Sequence, residues 1–317
     1  MDKKKCMLLL CIPIFIVACT KDNNRNNVVQ KAEKSDGKQK EQGYEPFKQY
    51  SLRDEDKEFV YHIYKQKLGI YDKSKNVWTP IRDIDNEFFY NFNENREYFT
   101  VGHSINNKFS VVKLENNQIK QVRCEDDDDC IFPLASDNEH YYFQECVDEH
   151  KEKEKRRILE YKQGKFTTLL ETENLISYGV KIKNNLYYSV YVEEDDLYNI
   201  YCLDLSKDKK VPEMVKKGIT DGKLLAYEDE LFYINKDLIC SDQNKATFKK
   251  KDYNDINSES ALLVQMQSNK NGDLQWDFID MKSKKIVFSY INIIDYKIEG
   301  NNIDVYCDGE INHEKVR

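Results

Sequence analysis

Cys124 and Cys130 bracket the acidic run Glu125-Asp126-Asp127-Asp128-Asp129, and Cys146 follows further along the chain. Two chemistries are concentrated here, thiols that can join in a disulfide and carboxylates that can hold a cation. A bridge closing the short loop between Cys124 and Cys130, or joining either of them to Cys146, is compatible with the close approach that a disulfide demands. The carboxylate oxygens of Asp126, Asp127, Asp128 and Asp129 suit Ca²⁺. The run lacks the alternating ligand positions and turn glycine of an EF-hand loop, so a solvated surface loop is the plainer expectation. Cys202, Cys240 and Cys307 lie inside strand-like segments, where a small buried thiol is expected. In an oxidising compartment these six cysteines would permit about 15 pairings. Neither a C-x-x-C spacing nor a nearby histidine pair marks a metal site, and no cofactor is expected.

The search for a catalytic constellation is largely negative. The chain has five histidines, His62, His103, His140, His150 and His313, and no G-x-S-x-G, H-E-x-x-H or phosphate-cradling glycine loop. His62, His103 and His140 fall in or beside a repeated strand and are expected to be satisfied polar members of it. Tyrosine rings can stack on sugar faces, but most of the 22 tyrosines alternate within strands and are expected to pack there. Tyr178 and Tyr253, at strand ends, are the candidates for a glycan contact.

The elements that must position these residues are strands. Aromatic and β-branched residues favour a pleated, half-buried surface, and helical spacing is hard to find after residue 44, apart from the charged run Glu149 to Arg157. Within that run Lys151 to Arg157 is expected to form an exposed tip between two strands, its mixed signs arguing against a lipid-binding patch. An apolar strand recurs at Phe59–Tyr64, Tyr98–His103, His140–Glu145, Leu186–Tyr191, Leu231–Asn235, Leu262–Gln267 and Ile303–Asp308, at intervals of about 40 residues with one shorter step. After most of them comes a strand, a polar turn and another strand, from Leu68, Phe109, Arg157, Asn199, Leu238 and Trp276. Each such unit reads as the outer hairpin of a four-stranded blade.

This predicts an all-β chain forming a β-propeller of six or seven four-stranded blades, seven being preferred because seven core strands are counted. Phe47–Leu52 is expected to close the ring by pairing with Ile303–Val316. A β-sandwich is the alternative, since regularly spaced short strands suit that class too. Eleven Gly and five Pro are few for a propeller, and the hairpin turns lean on Asn, Asp, Ser and Lys.

The N-terminus carries an address. Lys3-Lys4-Lys5 precede an apolar stretch from Met7 to Ala18 that is too short to span a bilayer. Ile16-Val17-Ala18-Cys19 resembles the bacterial lipobox at all four positions. That resemblance implies a signal peptide over 1–18, cleavage before Cys19, and lipidation of Cys19 with diacylglyceryl and amide-linked (palmitate-type) chains. Two or more chains make a stable anchor, each buried methylene contributing about 0.8 kcal/mol. Residues 19–43 are polar and read as a lipidated flexible tether, leaving 44–317 as the propeller domain. Leu186-Tyr187-Tyr188 followed by Ile200-Tyr201-Cys202-Leu203-Asp204-Leu205 resembles the propeller domains of exported bacterial lipoproteins.

The whole chain carries a net charge of −8, and removing a signal with three Lys and one Asp leaves −10. An acidic protein is a poor partner for nucleic acid or anionic lipid. The expectation is a lipid-anchored cell-envelope module on the cell membrane or outer membrane, outside the cytoplasm, that binds or scaffolds a protein, peptide or glycan. The competing expectation is an envelope hydrolase or lyase with carboxylates and histidines at the propeller channel mouth.

Overall fold

Because side chains alternate across a strand, a sheet buried on both faces needs apolar residues at consecutive positions, as in Tyr141-Tyr142-Phe143 or Leu262-Leu263-Val264. The computed structural model describes the backbone from residue 57 to 315 except for short connecting segments, and most side chains from Tyr98 onward. Cys19, the tether and Phe47–Leu52 lie outside the described residues.

The described strands form seven antiparallel sheets, each a meander in chain order. The first contains β1 (Lys57–Tyr64), β2 (Lys67–Asp72) and β3 (Val77–Asp83). The second contains β4 (Glu87–Asn91), β5 (Tyr98–His103), β6 (Phe109–Glu115) and β7 (Gln118–Cys124). The third contains β8 (Cys130–Ser136), β9 (Tyr141–Val147), β10 (Lys155–Lys162) and β11 (Lys165–Thr172). The fourth is β12 (Leu175–Ile182), β13 (Asn185–Val192), β14 (Leu197–Asp204) and β15 (Glu213–Ile219). The fifth is β16 (Leu224–Tyr227), β17 (Glu230–Asn235), β18 (Leu238–Ser241) and β19 (Phe248–Lys249). The sixth is β20 (Asp255–Glu259), β21 (Leu262–Ser268), β22 (Leu274–Asp280) and β23 (Lys285–Ile291). The seventh is β24 (Asp295–Glu299), β25 (Asn302–Cys307) and β26 (Glu310–Lys315). The described strands thus separate into small sheets and do not form the two facing sheets of a sandwich.

Consecutive sheets share apolar clusters. Tyr98 and Val111 of the second meet Ile131, Phe143, Leu159 and Tyr161 of the third. Leu134, Tyr142 and Ile158 of the third meet Leu186, Tyr188 and Leu203 of the fourth. Ile200 and Ile219 meet Leu224 and Tyr233 across the next seam. Leu225, Phe232 and Ile234 then meet Leu263 and Ile279, and Leu262, Val264 and Phe278 meet Tyr296, Ile303 and Val305. Odd and even residues of one strand therefore serve opposite neighbours, so Tyr142 packs toward the fourth sheet while Phe143 packs toward the second. The first strands of successive sheets approach one another, β8 beside β12, β12 beside β16 and β16 beside β20.

That approach is close at Gly179 on β12, where a Cβ would lie 2.6 Å from Leu134 Cγ on β8. A turn shows the same economy of glycine. Lys162 pairs with Lys165 around Gln163 and Gly164, whose φ values are 50° and 83°, as a two-residue hairpin turn requires. Lys183, Asp196, Lys236, Lys284 and Asn292 also adopt positive φ without being glycine, consistent with turns built from polar residues.

Two expectations need correction. Lys155, Arg156 and Arg157, assigned to an exposed tip, begin β10, and Arg156 is buried. The unit beginning at Asn199 is not a tight hairpin, because β15 starts only at Glu213 after a longer connection. Among the described residues no helix is long and apolar enough to cross a membrane.

Candidate functional site

The thiol and carboxylate neighbourhood singled out in the sequence assembles at the seam between the second and third sheets. It begins with a charged row across the third sheet: Glu145 on β9 stands opposite Arg157 on β10, which stands opposite Glu171 on β11. Opposite charges on directly facing strand positions attract. Arg157 Nη1 donates to Glu145 Oε2 at 3.3 Å and Arg157 Nε to Glu171 Oε2 at 3.0 Å. Lys155 Nζ lies 3.4 Å from Glu171 Oε1.

Arg123, on β7 of the second sheet, reaches across the seam to this row. Its Nη2 donates to Glu145 Oε1, and its guanidinium lies 4.8 Å from the centroid of the Phe166 ring on β11. The same guanidinium holds Glu125, with Nε 2.6 Å from Oε1 and Nη2 donating to Oε2 at 3.1 Å. The Glu125 and Glu145 side chains are only 4% and 3% exposed, so Arg123 is shared between two buried carboxylates, with Arg157 as a second partner of Glu145. Burial pushes the Glu125 carboxyl up from 4.5 to about 7, Arg123 opposing the shift and Glu145 and Asp129 adding to it.

Glu125 was expected within a solvated acidic run; the structure buries it and makes it part of the seam. Asp129 is half-buried, and Asp126, Asp127 and Asp128 lie outside the described residues. Among the described residues no group of three His, Cys, Asp or Glu side chains forms a metal-holding cluster.

The six cysteines are present as thiols. Cys130 and Cys146 are register partners on β8 and β9, and Cys146 in turn faces Arg156 on β10. Cys124 ends β7 opposite Ser110, its Sγ donating to the Glu125 carbonyl at 3.6 Å. Cys202 and Cys307 lie half-buried on β14 and β25, and burial pushes both thiols up. Cys240 lies on β18 opposite Tyr233.

Two histidines contact carboxylates. His140 Nδ1 lies 2.9 Å from Asp137 Oδ1, but that oxygen also accepts the backbone N–H groups of Glu139 and His140 at 2.8 and 2.7 Å. The pair thereby closes the β8–β9 turn, and Lys181 Nζ binds Asp137 Oδ2 at 2.6 Å from the fourth sheet. His313 faces Asp304 across β25 and β26, with Nδ1 2.7 Å from Oδ1 on an exposed surface. The side chains of His62, His103 and His150 lie outside the described residues. Tyr178 is half-buried, with Lys223 Nζ 5.1 Å from its ring centroid, which occupies a face that a sugar would need; Tyr253 is outside the described residues.

A hollow of about 200 Å³ lies between the third and fourth sheets, lined by Leu170, Thr172, Asn174, Tyr188, Tyr201 and Pro212 among others. Tyr188 and Tyr201 stack there with centroids 5.7 Å apart. The histidine contacts are not part of it.

No protein-family model and no curated protein matches the chain. Solved structures do. A puromycin-hydrolysing peptidase from Mycobacterium tuberculosis is 8% identical with a TM-score of 0.49, covering 77% of this chain and 46% of its own. TolB from Acinetobacter baumannii is 10% identical with a TM-score of 0.42, covering 78% and 75%. The computationally designed Ika8 protein is 8% identical with a TM-score of 0.43, covering 84% and 98%. The chain thus spans less than half the length of the peptidase, and likeness at these scores carries no argument about activity.

Proposed function

We propose that the chain is a seven-bladed β-propeller, held by lipid on Cys19 to a cell-envelope membrane with its domain outside the cytoplasm, that binds or scaffolds a protein, peptide or glycan with loops gathered on one rim. The observation that carries this reading is the seam pattern: each meander sheet from the second to the sixth shares an apolar cluster with the next in chain order. Stacking of that kind curls into a ring that brings loops from distant parts of the chain together. Closure pairs Phe47–Leu52 with β26, an outermost strand of its described sheet. The lipobox supplies the address and residues 19–43 the reach. The acidic surface favours a ligand that does not depend on phosphate contacts.

The test has two arms. Replacing Cys19 by Ala should move the protein from the membrane to the soluble envelope fraction; persistence in the membrane contradicts lipid anchoring. Photo-crosslinking from rim loops in intact envelopes should capture a defined partner. Capture of none, together with turnover of a defined substrate by the purified chain, overturns the binding reading.

A further inference from the structure

We propose that Cys130 and Cys146 are a modification site, closing into a cross-strand disulfide that staples the open end of the β8–β9 hairpin. The register places them directly opposite one another. Facing residues of an antiparallel pair have Cα atoms about 4.5–5.5 Å apart and side chains on the same face, inside the range of about 4.4–6.8 Å that disulfides span. No other cysteine pair faces across a described ladder: Cys124 faces Ser110, Cys202 faces Tyr187, Cys240 faces Tyr233 and Cys307 faces Glu310. Of the pairings the sequence leaves open around the acidic run, the register selects this one.

The hairpin's other end is already fixed by Asp137, which closes the turn. A bridge at Cys130 and Cys146 would fix the end where the acidic segment enters β8. It would also hold in place the strand that carries Glu145 to Arg123.

The step needs an oxidant, which is a dithiol oxidase in its disulfide form or a small-molecule disulfide. The thiolate of Cys130, the more exposed of the two, attacks the oxidant's disulfide and releases one oxidant thiol. Cys146 then attacks Cys130 Sγ, forming the Cys130–Cys146 bond and releasing the second oxidant thiol. Two electrons and two protons pass to the oxidant.

Oxidation in cells rests on the extracytoplasmic reading above, so two preparations separate the claims. The full chain is taken from membranes, and its thiols are alkylated in denaturant before non-reducing peptide mapping. In parallel, the purified, reduced full chain is equilibrated in glutathione redox buffer and mapped in the same way. The expected result in both is one linked peptide joining Cys130 to Cys146, lost in Cys130→Ala and in Cys146→Ala, with alkylation of Cys124 unchanged. Formation in redox buffer but full alkylation from cells supports the site and counts against exposure to an oxidising compartment. A bridge through Cys124, or no linked peptide in redox buffer, overturns the proposal.

Discussion

Replacing Glu125 with Gln tests whether the shared guanidinium compensates two buried carboxylates. Arg123 is the cation that favours ionised Glu125, and it is shared with Glu145, so its attraction does not offset the cost of taking the Glu125 charge out of water. The Glu125 carboxyl rises from 4.5 to about 7 because burial opposes ionisation more strongly than Arg123 favours it. The folded state therefore holds a proton that the unfolded chain has already released between these values. Stability from this group is fully present below 4.5, declines as pH rises, and is lost above about 7. A shift of that size corresponds to about 3 kcal/mol, with little solvent screening because the side chain is 4% exposed.

Glutamine resembles the protonated acid in shape and charge. Urea unfolding of the Glu125→Gln chain should match the parent at about pH 4, below the unfolded value, and exceed it by about 3 kcal/mol at pH 8. The difference between the two proteins isolates Glu125 from every other titrating group. If the variant is instead less stable at pH 8 than the parent, the ionised Glu125–Arg123 pair is net stabilising and the reasoning fails.

Gly179→Ala forces a Cβ to within 2.6 Å of Leu134 Cγ and 3.2 Å of the Tyr187 carbonyl oxygen, so overpacking should cost about 1–3 kcal/mol in urea unfolding, part of it recovered by Leu134→Ala. Asp277 is fully buried and accepts from Gln267, Gln275 and Ser289 at 3.1, 2.8 and 2.6 Å. Asp277→Ala, which removes the acceptor these three part-buried donors share, should cost about 1–3 kcal/mol by chemical denaturation, and Asn should cost less. For Asp137, burial alone would raise the carboxyl, but Lys181, the Glu139 and His140 backbone amides and the His140 ring outweigh it and hold the carboxyl well below its usual range. Its contribution is present above 3.8 and lost as pH falls toward the folded value. Asp137→Asn should accordingly flatten the acid side of a stability–pH profile measured by urea unfolding, and an unchanged acid slope would show that the turn does not depend on that charge.

The strands legible in the sequence are the ones buried on both faces. Leu186–Tyr191, broken only by Ser189, and Leu262–Gln267, broken by Gln265 and Gln267, read as mainly apolar runs because one neighbouring sheet takes the odd positions and the other the even. The first strands of the second to seventh sheets were not read from the sequence, unlike β1, which holds Phe59–Tyr64. β20 is Asp-Ile-Asn-Ser-Glu and β24 is Asp-Tyr-Lys-Ile-Glu, short and polar, so neither shows a run that propensity could detect. The candidate site divides in the same way. Cys130 and Cys146 could be named from composition, but only the register of β8 with β9 brings them together. Arg123 carried no signal at all. It is one of many basic residues, and its importance comes from a seam between sheets whose strands are separated in the chain.

The third sheet combines these contacts within a single hairpin. On β9, Phe143 and Glu145 face the second sheet while Tyr142 packs toward the fourth, so alternation puts Cys146 on the opposite face from its neighbour Glu145. Apolar seams respond weakly to pH, whereas the Arg123 seam contains a carboxyl that titrates near neutrality. A proton gained at Glu125 relieves repulsion on one face of the hairpin, while a bond between Cys130 and Cys146 would limit how far its strands can separate on the other. Both act on β9, which carries Glu145 and Cys146, and so on the coupling of the second sheet to the third.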